Sequence, residues 1–232
     1  MKLLALDTST QVLSIAVQRG EQRWTHTGAG GAQASATLIP ALMQLLSQAQ
    51  LKLHELDAIV FGAGPGSFTG LRTACAVAQG LGLGAGVPLL PVCTLLALAQ
   101  QARLLSGASR IVAALDARMD EVYCASYDFD NDSATTWADA PCAVCAPEAL
   151  ALPAGWLLAG NAVSAYGARL PVGVHLNCEP CASALLDLAP ALLAAGRAMD
   201  AAHALPVYVR DNVAQTTAQR LALAQANQRV NP

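Results

Sequence analysis

Charge is what this chain has least of. Lys, Arg, Asp and Glu together make up 12% of its 232 residues, the formal net charge is −3, and no run of Lys or Arg occurs. The electrostatic footprint of a free-standing nucleic-acid binder is missing, so tight binding to RNA by this chain alone is not expected. Long apolar runs are lacking too. From Thr73 to Ala102 there is no charged residue, but Gln79, four glycines, Pro88 and Pro91 interrupt the stretch. No apolar run of about 20 residues survives to cross a membrane, and the stretch reads as a buried helix, a short strand and the start of another helix. The segment before Asp7 is too short for a signal-peptide core, so a soluble, cytoplasmic protein is expected.

Other absences narrow the chemistry. No two of the four histidines, His26, His54, His175 and His203, stand three or four residues apart, so no helical metal pair can be built locally. The seven cysteines are an odd, scattered number, which suits reduced thiols better than a disulfide framework. Cys142-Ala-Val-Cys145 and Cys178-Glu-Pro-Cys181 do have zinc-knuckle spacing. A structural zinc site is the alternative there to incidental thiols. An extended stretch would turn Cys142 and Cys145 to opposite sides, and no metal is expected.

What the chain has is apolar residues, 54% of the total. Such a chain builds a large core or keeps an apolar face for a partner. Its most informative segment is Gly64-Pro65-Gly66-Ser67-Phe68-Thr69-Gly70-Leu71-Arg72, between a strand-like run at 58–62 and an apolar, helix-length stretch at 69–86. The glycines allow a tight strand-to-helix turn, and Ser67 and Thr69 are good N-cap residues. Free amides at a helix start also attract anions. The loop has no Walker lysine and no Gly-x-Ser-x-Gly spacing, so Ser67 reads as a cap and not a nucleophile.

Strands are expected at 2–7, 12–18, 21–27, 58–62 and 88–92, with helices at 35–50, 69–86 and 94–106. The second half reads as a hairpin at 110–115 and 121–128, a third extended piece at 134–144, and a short helix at 147–152. A strand at 155–159, a helix at 163–169, an extended piece at 174–176 and a helix at 182–195 follow. Pro190 predicts a kink or early break in the last helix. The order β-β-β-α-β-α-β-α thus occurs twice, which is the duplicated actin-like (ASKHA, ribonuclease-H-like) α/β architecture with mixed sheets. Its halves are expected at 1–106, carrying the partner-binding helices, and 107–232, the second subdomain with its tail. The polar tail 215–232 defaults to disorder or a frayed helix.

Several segments together resemble one family. They are Ala5-Leu6-Asp7-Thr8-Ser9-Thr10, the motif from Gly64 to Arg72, Ala78-Gln79-Gly80-Leu81, Leu115-Asp116-Ala117-Arg118-Met119-Asp120-Glu121-Val122-Tyr123 and Leu205-Pro206-Val207-Tyr208-Val209-Arg210-Asp211-Asn212. They are similar to the bacterial TsaB, or YeaZ-like, family of tRNA threonylcarbamoyladenosine biosynthesis proteins, part of the glycoprotease-like actin-fold group. The resemblance spans 1 to about 214 and is loose over 128–176.

The resemblance implies a non-catalytic subunit. It would pair with the homologous catalytic subunit TsaD and the ATPase TsaE, form a homodimer in their absence, and meet tRNA only through the complex. Together these proteins move a threonylcarbamoyl group from its adenylate to an adenosine beside the anticodon. The catalytic relative holds a metal with a His-x-x-x-His pair, and the matching helix start here, Ala34-Ser35-Ala36-Thr37, has no histidine.

Asp7 and Asp116 could serve as a magnesium ligand and a general base. Without neighbouring glycines they read better as turn-capping residues. Candidate nucleotide or anion contacts are Asp7, Thr8, Ser9, Gly64, Gly66, Ser67 and Thr69. No cofactor is expected for the chain alone, and a nucleotide at the partner interface stays open.

The expected partner face combines the wide apolar stripe Leu38, Ile39, Leu42, Met43, Leu45 and Leu46 with the small-residue helix bearing Leu71, Arg72, Ala74, Cys75, Ala78 and Gly82. The alternative function is a stand-alone ATP-dependent or glycoprotease-like enzyme.

Overall fold

The computed structural model describes residues 1–210; Asp211, Asn212 and the tail 215–232 lie outside the described residues. The strands of the first sheet are β1 (Lys2–Asp7), β2 (Val12–Arg19), β3 (Gln22–Ala29), β4 (Ala58–Gly64) and β5 (Leu89–Cys93). The second sheet uses β6 (Arg110–Arg118), β7 (Glu121–Asp128), β8 (Ala143–Cys145), β9 (Leu157–Ala159) and β10 (Val174–Leu176).

The sheets run in the orders β3-β2-β1-β4-β5 and β10-β9-β6-β7-β8. In the first, β1 pairs antiparallel with β2 and parallel with β4; in the second, β6 pairs antiparallel with β7 and parallel with β9. Element by element the two sheets therefore share one mixed topology. The duplicated actin-like α/β fold read from element order is the fold observed.

The helices are α1 (Ala34–Gln48), α2 (Phe68–Ala85), α3 (Thr94–Ser106), α4 (Ala134–Ala138), α5 (Ala162–Tyr166) and α6 (Ala182–Ala194). Helices α3 and α6 pack on each other between the sheets, α3 also on β6 and α6 also on β1. Seven consecutive residues of α3, from Thr94 to Gln100, are buried. A helix apolar all round belongs inside, which accounts for the charge-free stretch in the sequence. Helices α1 and α2 cover the outer face of the first sheet, where Leu38, Leu42, Leu45 and Leu46 meet Leu4, Leu6 and Phe61. Full burial of each such side chain contributes about 1.5–3 kcal/mol.

Three expectations change. The extended piece at 134–144 is instead the short helix α4 followed by the three-residue strand β8, and the helix at 147–152 shrinks to one 3-10 turn, Pro147–Ala149. Ser133 explains the first, because its side chain accepts a bond from the Thr136 amide and caps α4. Helix α6 does not break at Pro190 but runs on to Ala194. No helix among the described residues is long and apolar enough to cross a membrane.

Candidate functional site

The segments singled out in the sequence converge where the two sheets' central strands end. After β1 the chain turns through Asp7, Thr8, Ser9 and Thr10, all buried. Asp7 Oδ1 accepts bonds from the Ser9 amide at 2.9 Å and the Ser9 hydroxyl at 2.6 Å, while Oδ2 has no partner. Burial pushes the Asp7 carboxyl up to about 6, against the lowering effect of the Ser9 bonds.

The glycine motif lies directly on this turn. A Cβ at Gly66 would stand 2.5 Å from the Ser9 carbonyl oxygen, one at Gly70 only 1.8 Å from that of Thr8, and one at Gly62 1.9 Å from Asp7 Oδ2. At Gly66 and Gly70 glycine is needed because backbone meets backbone, and at Gly62 because the Asp7 carboxyl packs against it. The motif's polar groups are also engaged within the chain. Ser67 N–H donates to the Ser9 carbonyl at 2.7 Å, the Thr8 hydroxyl donates to the Gly70 carbonyl at 2.7 Å, and Ser67 Oγ caps the Gly70 amide.

A third segment, 205–210, straps this region down. The Val207 amide donates to the Ala63 carbonyl at 2.7 Å, and Gly64, at φ +123°, leaves room for the Val207 carbonyl. Tyr208 packs on Phe68 with ring centroids 5.8 Å apart and accepts a bond from Arg72 Nε at 3.0 Å. The Arg72 guanidinium lies 3.8 Å over the Phe68 ring. Arg210 then reaches the second half, donating to the Ala117 carbonyl at 3.1 Å and to Glu121. It thereby braces the β6–β7 turn, where Arg118, Met119 and Asp120 all have φ near +60°.

Asp116 is engaged in that same turn. Its Oδ1 accepts from the Arg118 amide and from the Tyr166 hydroxyl, each at 2.8 Å, and its own amide donates to Asn161 Oδ1. Burial, with Asp116 beside it, pushes the Tyr166 hydroxyl up to about 12. Asn161 in turn donates to Glu179. A cleft of about 280 Å³ lies between the halves, lined among others by Ser9, Ser67, Phe68, Asp116, Asn161 and Arg210.

The contact candidates therefore divide. Asp7, Thr8 and Gly64 are sealed inside, Ser9 is 2% exposed, and only Gly66, Ser67 and Thr69 reach the surface. The partner-face candidates divide as well. Leu38, Leu42, Leu45, Leu46, Leu71, Ala74, Cys75, Ala78 and Gly82 are buried in the chain's own core. That corrects their assignment, since a residue packed on the sheet cannot also touch a partner. Ile39, Met43 and Arg72 are exposed.

On α2 the outward stripe is Thr69, Arg72, Ala76, Gly80 and Leu83, all five exposed. Ala76, Gly80 and Leu83 are absent from the expected partner face, and the three-and-four-residue step offset from the buried set is the signal that locates them. Tyr166, Asn161 and Glu179 are site residues with no sequence signal at all.

The zinc-spaced cysteines do not converge. Cys142 Sγ lies 3.4 Å from Cys93, Cys145 Sγ lies 4.0 Å from Cys124, and Cys181 donates to Gln101 at 2.9 Å.

Comparison with known proteins fits this picture. A family model described as TsaD, tRNA N6-adenosine threonylcarbamoyltransferase, matches residues 21–230. The tRNA threonylcarbamoyladenosine biosynthesis protein TsaB of Escherichia coli (strain K12) is 34% identical over 226 residues, covering 92% of this chain and 96% of that protein. The TsaB of Haemophilus influenzae is 47% identical over 126 residues, 53% of this chain and 52% of its own length. Among solved structures, YeaZ from Pseudomonas aeruginosa superposes with a TM-score of 0.81 at 40% identity, covering 89% of this chain and 99% of that one.

Proposed function

The chain belongs to the TsaB family of tRNA threonylcarbamoyladenosine biosynthesis proteins, and from that premise we propose that it acts as a non-catalytic subunit that docks and activates a TsaD-like threonylcarbamoyltransferase. A TsaE-like ATPase completes the assembly, tRNA is met only through the complex, and the chain pairs with itself when the catalytic subunit is absent.

One observation carries the reading. The amides at the start of α2, which could otherwise meet an anion, are taken up within the chain: the Ser67 amide donates to the Ser9 carbonyl and the Gly70 amide to Ser67 Oγ. A nucleotide entering this motif would have to break these bonds. No cofactor is proposed for the chain alone, and of the contact candidates a nucleotide at the partner interface would meet the half-buried Gly66 and Ser67 and the exposed Thr69.

The docking surface is the joint outer face of α1 and α2: Ile39 and Met43 on one helix, Ala76, Gly80 and Leu83 on the other, with Arg72 at its rim. Its only charge is Arg72, and a Cβ at Gly80 meets nothing within 4 Å, so a partner helix can approach closely.

The test mixes the chain with a TsaD-like subunit and follows complex formation by size-exclusion chromatography. Leu83→Glu should weaken pairing at least about tenfold, the effect of a charge desolvated in an apolar contact, with an unchanged thermal melt. Unaltered pairing, or threonylcarbamoylation of tRNA by the isolated chain given the adenylate, would overturn the proposal. The rival reading, a stand-alone ATP-dependent enzyme or peptidase, requires activity of the purified chain that Asp7→Asn abolishes.

A further inference from the structure

Away from the glycine motif, the structure brings together two thiols that the sequence keeps far apart. Cys93 ends β5 in the first sheet and is the N-cap residue of α3. Cys142 precedes the edge strand β8 of the second sheet. Their sulfurs are 3.4 Å apart, and the Tyr127 hydroxyl donates to Cys93 Sγ at 3.6 Å. Cys93 also lines a cavity of about 340 Å³, together with Leu96, Ala138 and Arg197.

We propose that Cys93 and Cys142 are a hydroperoxide-responsive dithiol, in which Cys93 is oxidised first and Cys142 resolves it to a disulfide joining the two halves of the fold. The geometry assigns the roles. Cys93 faces the Tyr127 hydroxyl and the Leu95 and Leu96 amides at the start of α3, with the Cys142 thiol in contact, where either sulfur can donate. Cys142 otherwise faces the Ala140 carbonyl, which can only accept a proton. Those donors hold the Cys93 thiol down to about 6, the Cys142 contact contributing most. Cys142 moves the opposite way, its proton held in the bond to Cys93.

In the first step the Cys93 thiolate attacks one oxygen of the peroxide. The O–O bond breaks, the departing oxygen leaves as hydroxide and takes up a proton as water, and Cys93 becomes a sulfenic acid. Cys142 then gives up its proton and attacks the Cys93 sulfur. The S–S bond forms, the S–O bond breaks, and a second water leaves. Two thiols and one hydroperoxide thus yield a disulfide and two waters (water and an alcohol from an alkyl hydroperoxide), the sulfurs losing the two electrons that the peroxide gains.

A second pair serves as an internal control. Cys124 and Cys145 are also close, at 4.0 Å, but burial pushes the Cys124 thiol up to about 12, with Cys145 beside it. Proximity alone would oxidise both pairs; an activated thiol oxidises one.

The experiment treats the full chain with hydrogen peroxide and maps its peptides by mass spectrometry without reduction. A Cys93–Cys142 linked peptide should form at least about tenfold faster than any product at Cys124 or Cys145, and dithiothreitol should reverse it. In Cys142→Ser, whose hydroxyl still donates to Cys93, dimedone should trap a sulfenic acid at Cys93. Oxidation of both pairs at similar rates, a linkage other than Cys93–Cys142, or over-oxidation of Cys93 without a disulfide would overturn the proposal. The map of the unsubstituted chain decides the matter even where a variant fails to fold.

Discussion

Gly70 and Gly80 lie in the same helix and are held to opposite rules. At Gly70 an added methyl would sit 1.8 Å from the Thr8 carbonyl oxygen, a fixed backbone atom; at Gly80 it would meet nothing within 4 Å. Gly70→Ala should therefore cost about 3 kcal/mol or more in urea unfolding, because the turn after β1 must shift. Gly80→Ala should add about 0.5–1 kcal/mol through helix propensity.

Asp7 supplies the pH dependence. Its folded carboxyl titrates at about 6, above the ordinary 3.8, because burial penalises its charge. The folded chain therefore holds a proton that the unfolded chain has released between those values. The contribution is fully present below about pH 4 and is lost as pH rises through about 6, a fall of about 3 kcal/mol. Asp7→Asn should remove that slope from a series of denaturant melts across this range, while leaving the Ser9 bonds an acceptor. A slope unchanged in Asp7→Asn would place the titrating group elsewhere.

At the scale of elements, adjacent positions on α1 separate core from surface. Leu38, Leu42, Leu45, Leu46 and Ala49 recur at helical steps and are buried, whereas Ile39 and Met43 lie off that stripe and are each 48% exposed. A glutamate at Leu42 should unfold the chain, costing about 4 kcal/mol or more through an unpaired buried charge. Met43→Glu should leave the melt within about 0.5 kcal/mol. Equal losses in circular-dichroism melts would mean that both residues face the core.

The same helix shows what was legible beforehand. Apolar runs and the turn residues between them located every strand of the first sheet and α1, α2 and α3, most of which bury one face or the whole segment, β3 being the exception. They could not divide a wide stripe into the part covering the sheet and the part left outside, since Leu42 and Met43 are chemically alike. In the second half, α4 and the single turn at Pro147–Ala149 are too short for a period to develop. The site was legible as separate motifs, but its connections were not. Nothing in the local pattern of Tyr166 announces its bond to Asp116, a contact made across fifty residues.

At the scale of the whole molecule, the strap at 205–210 ties the glycine motif of one half to the β6–β7 turn of the other. Val207 is bonded to β4, Tyr208 to Arg72 on α2, and Arg210 to the carbonyls of Ala117 and Arg118. A lysine could satisfy only part of that set, because a guanidinium presents several donors in a fixed fork and an ammonium is a single point. Arg210→Ala leaves two carbonyls and the Glu121 carboxylate without their partner at a turn already held at positive φ. The expected cost is about 1–3 kcal/mol, with Arg210→Lys in between. Amide hydrogen exchange tells this apart from a merely local loss. If the strap couples the halves, Arg210→Ala speeds exchange both at 117–121 and at 63–68, on the far side of the strap. Faster exchange confined to the turn would mean that α3 and α6, packed between the sheets, carry the coupling without it.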